Sequence, residues 1–292
     1  MKTVKDTIFP QKLTLNIHGK LYTLTRPWIM GVLNCTPDSF FDGGRNIQPE
    51  RLQQTINEII SDGAAIIDVG GCSSRPGSVP PSEEEEWMRI EPALKLVLQN
   101  YPDTIISIDT YRASVIEKAA KYYRVDMVND ITAGRGDSRM IPLVASLHLP
   151  FIAMHMKGMP LDMQQNPDYE NLLDEIMTFF AERISLLRQQ GIIDIMIDPG
   201  FGFGKTLDHN FELLANLHVF SVFGVPLVAG LSRKSMIWKP LGTNPEGALN
   251  GTIAAQTIAL MNGANILRVH DVKAAAELTT IVCKSQSFNH LK

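Results

Sequence analysis

Eight short apolar runs rich in Ile, Val, Met and Leu recur along the chain, at 29–33, 65–69, 105–108, 127–128, 151–154, 195–197, 226–229 and 266–269. Short runs with little polar alternation are the pattern of strands buried on both faces, as parallel strands are beneath crossover helices. The segments between them have a helical period instead. Among these are "RLQQTINEIISDG", "SEEEEWMRIEPALKLVLQN", "RASVIEKAAKYY", "YENLLDEIMTFFAERISLLRQQG" and "GTIAAQTIALMNG", several ending in Gly or Asn as helix C-termini do. Eight buried strands alternating with helices predict an α/β fold, a closed parallel (β/α)8 TIM barrel; an open doubly wound sheet is the other arrangement the alternation permits. Ahead of the first run, 13–17 and 21–24 alternate apolar with polar residues around "HGK", which predicts an N-terminal β-hairpin. No internal repeat or low-complexity linker divides the remainder. The expected organisation is a hairpin extension over 1–27 and a single barrel domain over 28–285.

Composition works mainly by exclusion. Of the 292 residues, 45% are apolar and 20% charged, with a formal net charge of -4. That balance provides a full core and no reason to expect nucleic acid or a membrane as the main partner. Three cysteines without C-x-x-C spacing favour free thiols in a reducing compartment over a disulfide framework. The opening "MKTVKDTIFPQKLTLNIHGK" lacks the apolar core of a signal peptide, and no stretch reaches the roughly 18 apolar residues of a membrane span. A cytoplasmic location is the expectation.

In a parallel barrel the residues at the C-terminal ends of the strands all face one mouth. Polar groups collect at those positions here: Asn34, Asp68, Asp109, Asn129, His155, Asp198, Ser232 to Lys234, Arg268 and His270. Any one of them could merely cap a strand-to-helix turn. Their recurrence across the strands places an active site at the mouth. Asp109 in "IISIDT" has the alternative of capping the helix that starts near Arg112, and Asp198 in "IMIDPG" that of shaping the Pro-Gly turn. If instead they project into the mouth, they can accept hydrogen bonds from a flat, N–H-rich heterocycle and stabilise positive charge developing on it. Asn129, with donor and acceptor on one amide, suits the edge of the same ring.

Charge of the opposite sign comes from "GLSRKS", with Arg233 and Lys234, and from "RVHD", with Arg268 and His270. The loops after the last two strands are where many barrels bind phosphate. Carboxylates facing an anion site are what a substrate needs if its reacting centre turns cationic as an anionic group departs. Other motifs fall away. "DPGFGFGKT" fails as a P-loop because Pro199 occupies the first glycine position. No H-E-x-x-H or Cys/His set suggests zinc. The acidic run from Glu83 to Glu86 follows Ser82 and reads as a capping box with a dipole-matched first turn.

Taken together, "IMGVLNCTPDSFFDGG", "DVGGCSSRPGS", "SIDTYR", "VNDITAG", "MHMKGMP" with "MQQNPDY", "DPGFGFGKT", "GLSRKS" and "LRVHDV" resemble the dihydropteroate synthase family, from about Trp28 to Val272. The resemblance implies a transferase that condenses 6-hydroxymethyl-7,8-dihydropterin diphosphate with 4-aminobenzoate to give 7,8-dihydropteroate and diphosphate. It also implies that Asp109, Asn129, Asp198 and Lys234 hydrogen-bond the pterin, that Met154, Phe203 and Gly230 shape its slot, and that Arg268 stacks on its face. Asn34, Ser74, Arg75, Arg268 and His270 would hold the diphosphate, with Mg2+ at Asn34. Thr36, Pro37, Phe40, Ser74, Lys234 and Ser235 would frame the aminobenzoate. The principal catalytic roles would fall to Asp109, Asp198, Lys234, Asn34 and Arg75, in a dissociative reaction without a protein nucleophile. Family resemblance further implies a homodimer and competition by sulfonamides.

The chain departs from the family pattern at Cys35, Cys72, Ser74 and Phe41, all in the first two loops. In the first of these, "CTPDSFFDGG" reads as a lid whose Phe40 shields the reacting cation from water. Pterin-binding barrels that pass a folate methyl group to a corrinoid partner share the "DPG" and "ND" elements. They need neither a diphosphate site nor the "TPDSF" and "SRKS" segments. A silent pterin-binding protein on the same scaffold would be expected to have lost Arg75, Lys234, Arg268 and His270, all of which are present.

Overall fold

A computed structural model describes residues 13–36, 41–42, 46–72, 80–158 and 167–287. The hairpin is β1 (Thr14–Ile17) and β2 (Lys20–Thr23), turning at His18 and Gly19, both with positive φ. After β3 (Trp28–Asn34) a short antiparallel pair, β4 (Phe41–Asp42) and β5 (Asn46–Ile47), precedes α1 (Pro49–Ser61). Strand and helix then alternate: β6 (Ile66–Gly70), α2 (Glu83–Asn100), β7 (Ile105–Asp109), α3 (Ala113–Tyr122), β8 (Met127–Asp130) and α4 (Met140–Ser146). The second half holds β9 (Phe151–Met154), α5 (Leu172–Gln189), β10 (Ile195–Asp198), α6 (Leu207–Ala215), β11 (Val228–Ala229), α7 (Ser235–Trp238), α8 (Leu249–Met261), β12 (Ile266–Val269) and α9 (Val272–Gln286).

The eight long-range strands pair in parallel in the order β10-β9-β8-β7-β6-β3-β12-β11. A parallel bridge between Ile197 and Leu227, with the Ile197 N–H donating to Pro226 O at 3.0 Å, ties β10 to β11 and brings the sheet almost full circle. The expected barrel is therefore observed, and the open sheet is excluded.

Side chains alternate along each strand, so each strand feeds two different cores. Ile29, Leu33, Ile67, Val69, Ile106, Ile108, Val128, Phe151, Ala153, Ile195, Ile197, Leu267 and Val269 pack outward with the helices. Met30, Ile66, Ile105, Met127, Ile152, Met196, Val228 and Ile266 point inward and fill the lower barrel, where Leu15 and Ile17 of the hairpin join them. The hairpin thus plugs the barrel's N-terminal end. Its seat is polar at the rim, where the Asn16 N–H donates to Asp194 Oδ1 at 2.8 Å and His18 Nε2 lies 3.0 Å from Asp126 Oδ1.

The Ser82 capping box forms as expected, its hydroxyl accepting from the Glu85 N–H at 3.2 Å while Glu85 Oε2 accepts from the Ser82 N–H at 2.8 Å. Glu86 departs from the first-turn reading of the acidic run. It is 1% exposed and accepts from Arg112 Nη1 at 2.6 Å, a buried ion pair that fastens α2 to the start of α3.

Candidate active site

Two residues beyond each inward apolar position, on the same side of the strand, stand Val32, Asp68, Ser107, Asn129, Met154, Asp198, Gly230 and Arg268. This second tier holds Asp68, Asn129, Asp198 and Arg268 of the polar groups expected at the mouth. Asn34, Gly70 and Asp109 stand one step higher and are matched in register across β3, β6 and β7.

Arg268 organises one side of the tier. Its Nε donates to Asp68 Oδ2 at 2.6 Å and its Nη2 to Asp109 Oδ2 at 2.5 Å. Asn129 Nδ2 donates to the same Asp68 oxygen at 3.1 Å. Four strands therefore share one charge-assisted network. Burial pushes the Asp109 carboxyl up to about 7; Arg268 pulls it down, while Asp68, Glu86 and Asp130 push it further up. Asp109 does not cap the following helix. The N-cap residue there is Arg112, without a side-chain capping bond, and the Ala113 N–H is satisfied by Asp137 Oδ2 at 3.0 Å.

On the opposite side, Asp198 Oδ1 accepts from the Gly200 N–H at 2.8 Å, so this carboxylate both shapes its turn and faces the mouth. Burial raises its pKa, and Lys234 and the Gly200 N–H oppose the rise. Lys234 donates to the Phe201 carbonyl, and its Nζ lies 4.6 Å from the centre of the Phe203 ring. Desolvation pushes its ammonium down to about 8 against the pull of Asp198. A Cβ at Gly230 would lie 3.7 Å from Asp198 Oδ2, 3.8 Å from Lys234 Nζ and 4.0 Å from Arg268 Cβ. Gly230 is thus the gap among the three charged groups. Met154, Met156 and Phe203 form an apolar cluster against Ile131, a flat polarisable wall beside the polar edge.

Asn34, Arg268 and His270 sit on the neighbouring strands β3 and β12 or just beyond, and the His270 N–H donates to Ser232 Oγ at 3.3 Å. Thr36 is half-buried just after β3, and Ser235 is exposed at the start of α7. Ser74, Arg75, Pro37 and Phe40, and with them the lid and much of the aminobenzoate pocket, lie outside the described residues.

Some residues expected at the mouth are used elsewhere. His155 has the outward parity of Phe151 and Ala153 and packs edge-on to Phe179 of α5, with ring centres 4.9 Å apart. Burial and the neighbouring Lys205 hold it far below the usual histidine range. Arg233 turns away from the mouth into a two-pronged bond with Asp271, at 2.9 and 2.7 Å. Lys205 of "GFGKT", assigned no role from the sequence, is spent inside its own loop. It is 4% exposed, and its Nζ lies 3.0 Å from His155 Nδ1 and donates to the carbonyls of Gly200 and Phe203 at 3.1 Å, bracing the loop after β10.

Cys35 is 1% exposed and packs with the outward core, its thiol pushed up to about 12 by burial. The departure from the family pattern at that position is absorbed by packing and leaves Asn34 on the inward side. Cys72 is also pushed up, to about 11, by burial and then Glu86. Burial thus disfavours the thiolate at both positions.

A (β/α)8 barrel with paired carboxylates, an amide and two cations around a flat apolar slot is an enzyme fold with its chemistry at the C-terminal mouth. The family model described as pterin binding enzyme matches residues 30–270, and the chain belongs to that family. The chain is 41% identical over 272 residues to the dihydropteroate synthase of Escherichia coli, covering 92% of this chain and 95% of that protein. With that of Haemophilus influenzae the identity is 39% over 271 residues, covering 92% and 98%. Among solved structures, the Yersinia pestis dihydropteroate synthase with a sulfonamide drug complex superposes with a TM-score of 0.87 at 40% identity, covering 94% of this chain and 99% of that one. The Xanthomonas albilineans enzyme with 4-aminobenzoic acid gives 0.86 at 38%, covering 94% and 98%.

Proposed function

We propose that the chain is a dihydropteroate synthase, joining 6-hydroxymethyl-7,8-dihydropterin diphosphate to 4-aminobenzoate with release of diphosphate. The observation that carries the site assignment is the gap left by Gly230 among Asp198, Lys234 and Arg268, with Asn129 in the same tier as Asp198 and Arg268 and held there by Asp68. A pterin ring in that gap meets acceptors at Asp198 and on the Asn129 amide, Met154 and Phe203 against one face, and Arg268 beside Asp109. As the diphosphate leaves, positive charge spreads over the ring, and the Asp109 carboxylate stabilises it through the low-dielectric interior. Arg268, His270 and Asn34, with Ser74 and Arg75 of the second loop, take up the charge of the leaving group. The aminobenzoate enters between Lys234, Ser235, Thr36 and the first loop with Pro37 and Phe40, and its amine attacks the cation. Exclusion of the water that would compete falls to Phe40, as the sequence of that loop implies.

Asn34 fits a magnesium-assisted version of this step. Mg2+ keeps most of its waters and is held through one or two protein oxygens plus substrate phosphate. Asn34 offers one side-chain carbonyl oxygen next to the cationic strand β12, and the described residues contain no cluster of three or more metal-ligating His, Cys, Asp or Glu that would strip a metal of its water. When bound, the ion neutralises charge on the departing diphosphate.

Sulfonamides are expected to compete for the aminobenzoate site. Three cysteines outside any disulfide support a cytoplasmic location. Helix α8, "LNGTIAAQTIALM", has no charged residue and exposes Leu249, Ile258 and Met261, with Phe211 of the adjacent α6 also exposed. That surface supports a homodimer packed through α8, built from two single-domain barrels over 28–285.

The test is turnover. Purified protein given the pterin diphosphate, 4-aminobenzoate and Mg2+ should release diphosphate and form dihydropteroate, and a sulfonamide should raise the KM for aminobenzoate. Absence of both products from protein that binds pterin would overturn the reading.

A further inference from the structure

Asp68 is fully buried inside the barrel, two strands away from Asn129 and well below the rim. One carboxylate oxygen, Oδ2, receives both Arg268 Nε and Asn129 Nδ2, at 2.6 and 3.1 Å. The other oxygen, Oδ1, is buried without a hydrogen-bond partner, as is the hydroxyl of Ser107, its register partner on β7. A fully buried carboxylate with an unspent oxygen is a costly group to keep for stability alone.

Its two bonds do something specific. An Asn amide presents its nitrogen to one side and its oxygen to the other. Because Nδ2 of Asn129 is committed to Asp68, the amide offers its oxygen to the slot. An amide free to flip would offer either atom and would lose its power to select a ring edge bearing an N–H. The same carboxylate fixes the Arg268 guanidinium through Nε, which aims Nη2 at Asp109 and leaves the rest of the fork for substrate.

We propose that Asp68 is a positioning residue for pterin recognition: it sets the orientation of the Asn129 amide and the plane of the Arg268 guanidinium, without itself touching substrate. The inference rests on the synthase reading above and is tested separately from it. In the Asp68→Asn variant the residue at 68 can no longer accept from both neighbours as a charged group. The KM for the pterin diphosphate should rise at least tenfold, pterin binding measured by calorimetry without aminobenzoate should weaken in parallel, and the KM for aminobenzoate should hold within twofold. Asn129→Ala should show the same signature. The double variant Asp68→Asn with Asn129→Ala should be no worse than the weaker single, because both changes remove one function.

A fall in kcat with both KM values unchanged, or additive losses in the double variant, would overturn the proposal. If Asp68→Asn does not fold, Asp68→Ser is read by the same criteria, and failure of both to fold returns Asp68 to a purely structural role. An inactive wild type that still binds pterin would defeat the synthase reading but leave the binding experiment able to judge Asp68.

Discussion

The guanidinium of Arg268 and the carboxylate of Asp109 face each other across the barrel mouth, Nη2 to Oδ2, at 2.5 Å. The group assigned to the leaving diphosphate and the group assigned to the nascent cation thus hold one another until substrate arrives. Replacing them should have unequal effects on folding. Arg268→Ala leaves buried Asp68 with only the Asn129 amide and half-buried Asp109 without its cation, and should cost about 3–5 kcal/mol, besides abolishing most turnover. Asp109→Asn leaves Arg268 its Asp68 partner, so turnover should fall roughly 100-fold or more with a loss of only about 1 kcal/mol in stability. Denaturant midpoints and kcat/KM for both variants decide this; equal stability losses would make Asp109 a structural residue.

The pH dependence follows from the same geometry. Asp109 works as a carboxylate and is pushed up to about 7, so kcat/KM should fall as the pH drops through that value. Lys234 works as an ammonium and is pushed down to about 8, so activity should fall again above it. A narrow bell is expected in kcat/KM for the pterin substrate, and a flat profile from pH 6 to pH 9 would contradict it.

Lys205 gives a stability signature of known sign. Burial lowers its pKa from 10.5 to about 7, so between those values the unfolded chain holds the extra proton and stability should rise with pH. Lys205→Met should flatten that rise, seen in urea midpoints between pH 7 and 9. It should also cost about 1–3 kcal/mol, because the Gly200 and Phe203 carbonyls lose their donor.

Two glycines at the site should respond oppositely to alanine. At Gly200, φ is +71° and a Cβ would fall 1.9 Å from the His155 carbonyl oxygen, so Gly200→Ala should lower stability by about 3 kcal/mol or more. At Gly230 the nearest atom would be 3.7 Å away, so Gly230→Ala should fold with a change within about 0.5 kcal/mol. Its methyl group enters the pterin slot, however, and pterin affinity measured by calorimetry should fall about tenfold, near 1.4 kcal/mol.

Much of this was legible in the sequence because the strands are buried on both faces and their apolar runs stand out from the amphipathic helices. The polar residues closing those runs marked the mouth. Which of them enter it depends on parity, and parity was available too. His155 follows Met154 by one residue and therefore faces the helices, whereas Asn129, two beyond Met127, faces the interior. Arg233 and Lys234 are adjacent cations, and only the placement of Asp271 sends one outward. Rejecting "DPGFGFGKT" as a P-loop left Lys205 without a role, because its partners, the carbonyls of its own turn and His155, are set by the folded loop. The role of Asp68 depends on partners 61 and 200 residues away in sequence, a relationship no local pattern carries.

The two inward tiers have a consequence for how such a chain can change over time. Residues 30, 66, 105, 127, 152, 196, 228 and 266 are judged by folding, whereas those two positions farther along are judged by chemistry. Selection can therefore rework the mouth without rebuilding the vessel, and drift in the lower tier is constrained whatever substrate the mouth serves. In a saturation library, poor expression should map to one set and lost turnover to the other, with the strand pleat as the dividing line between them.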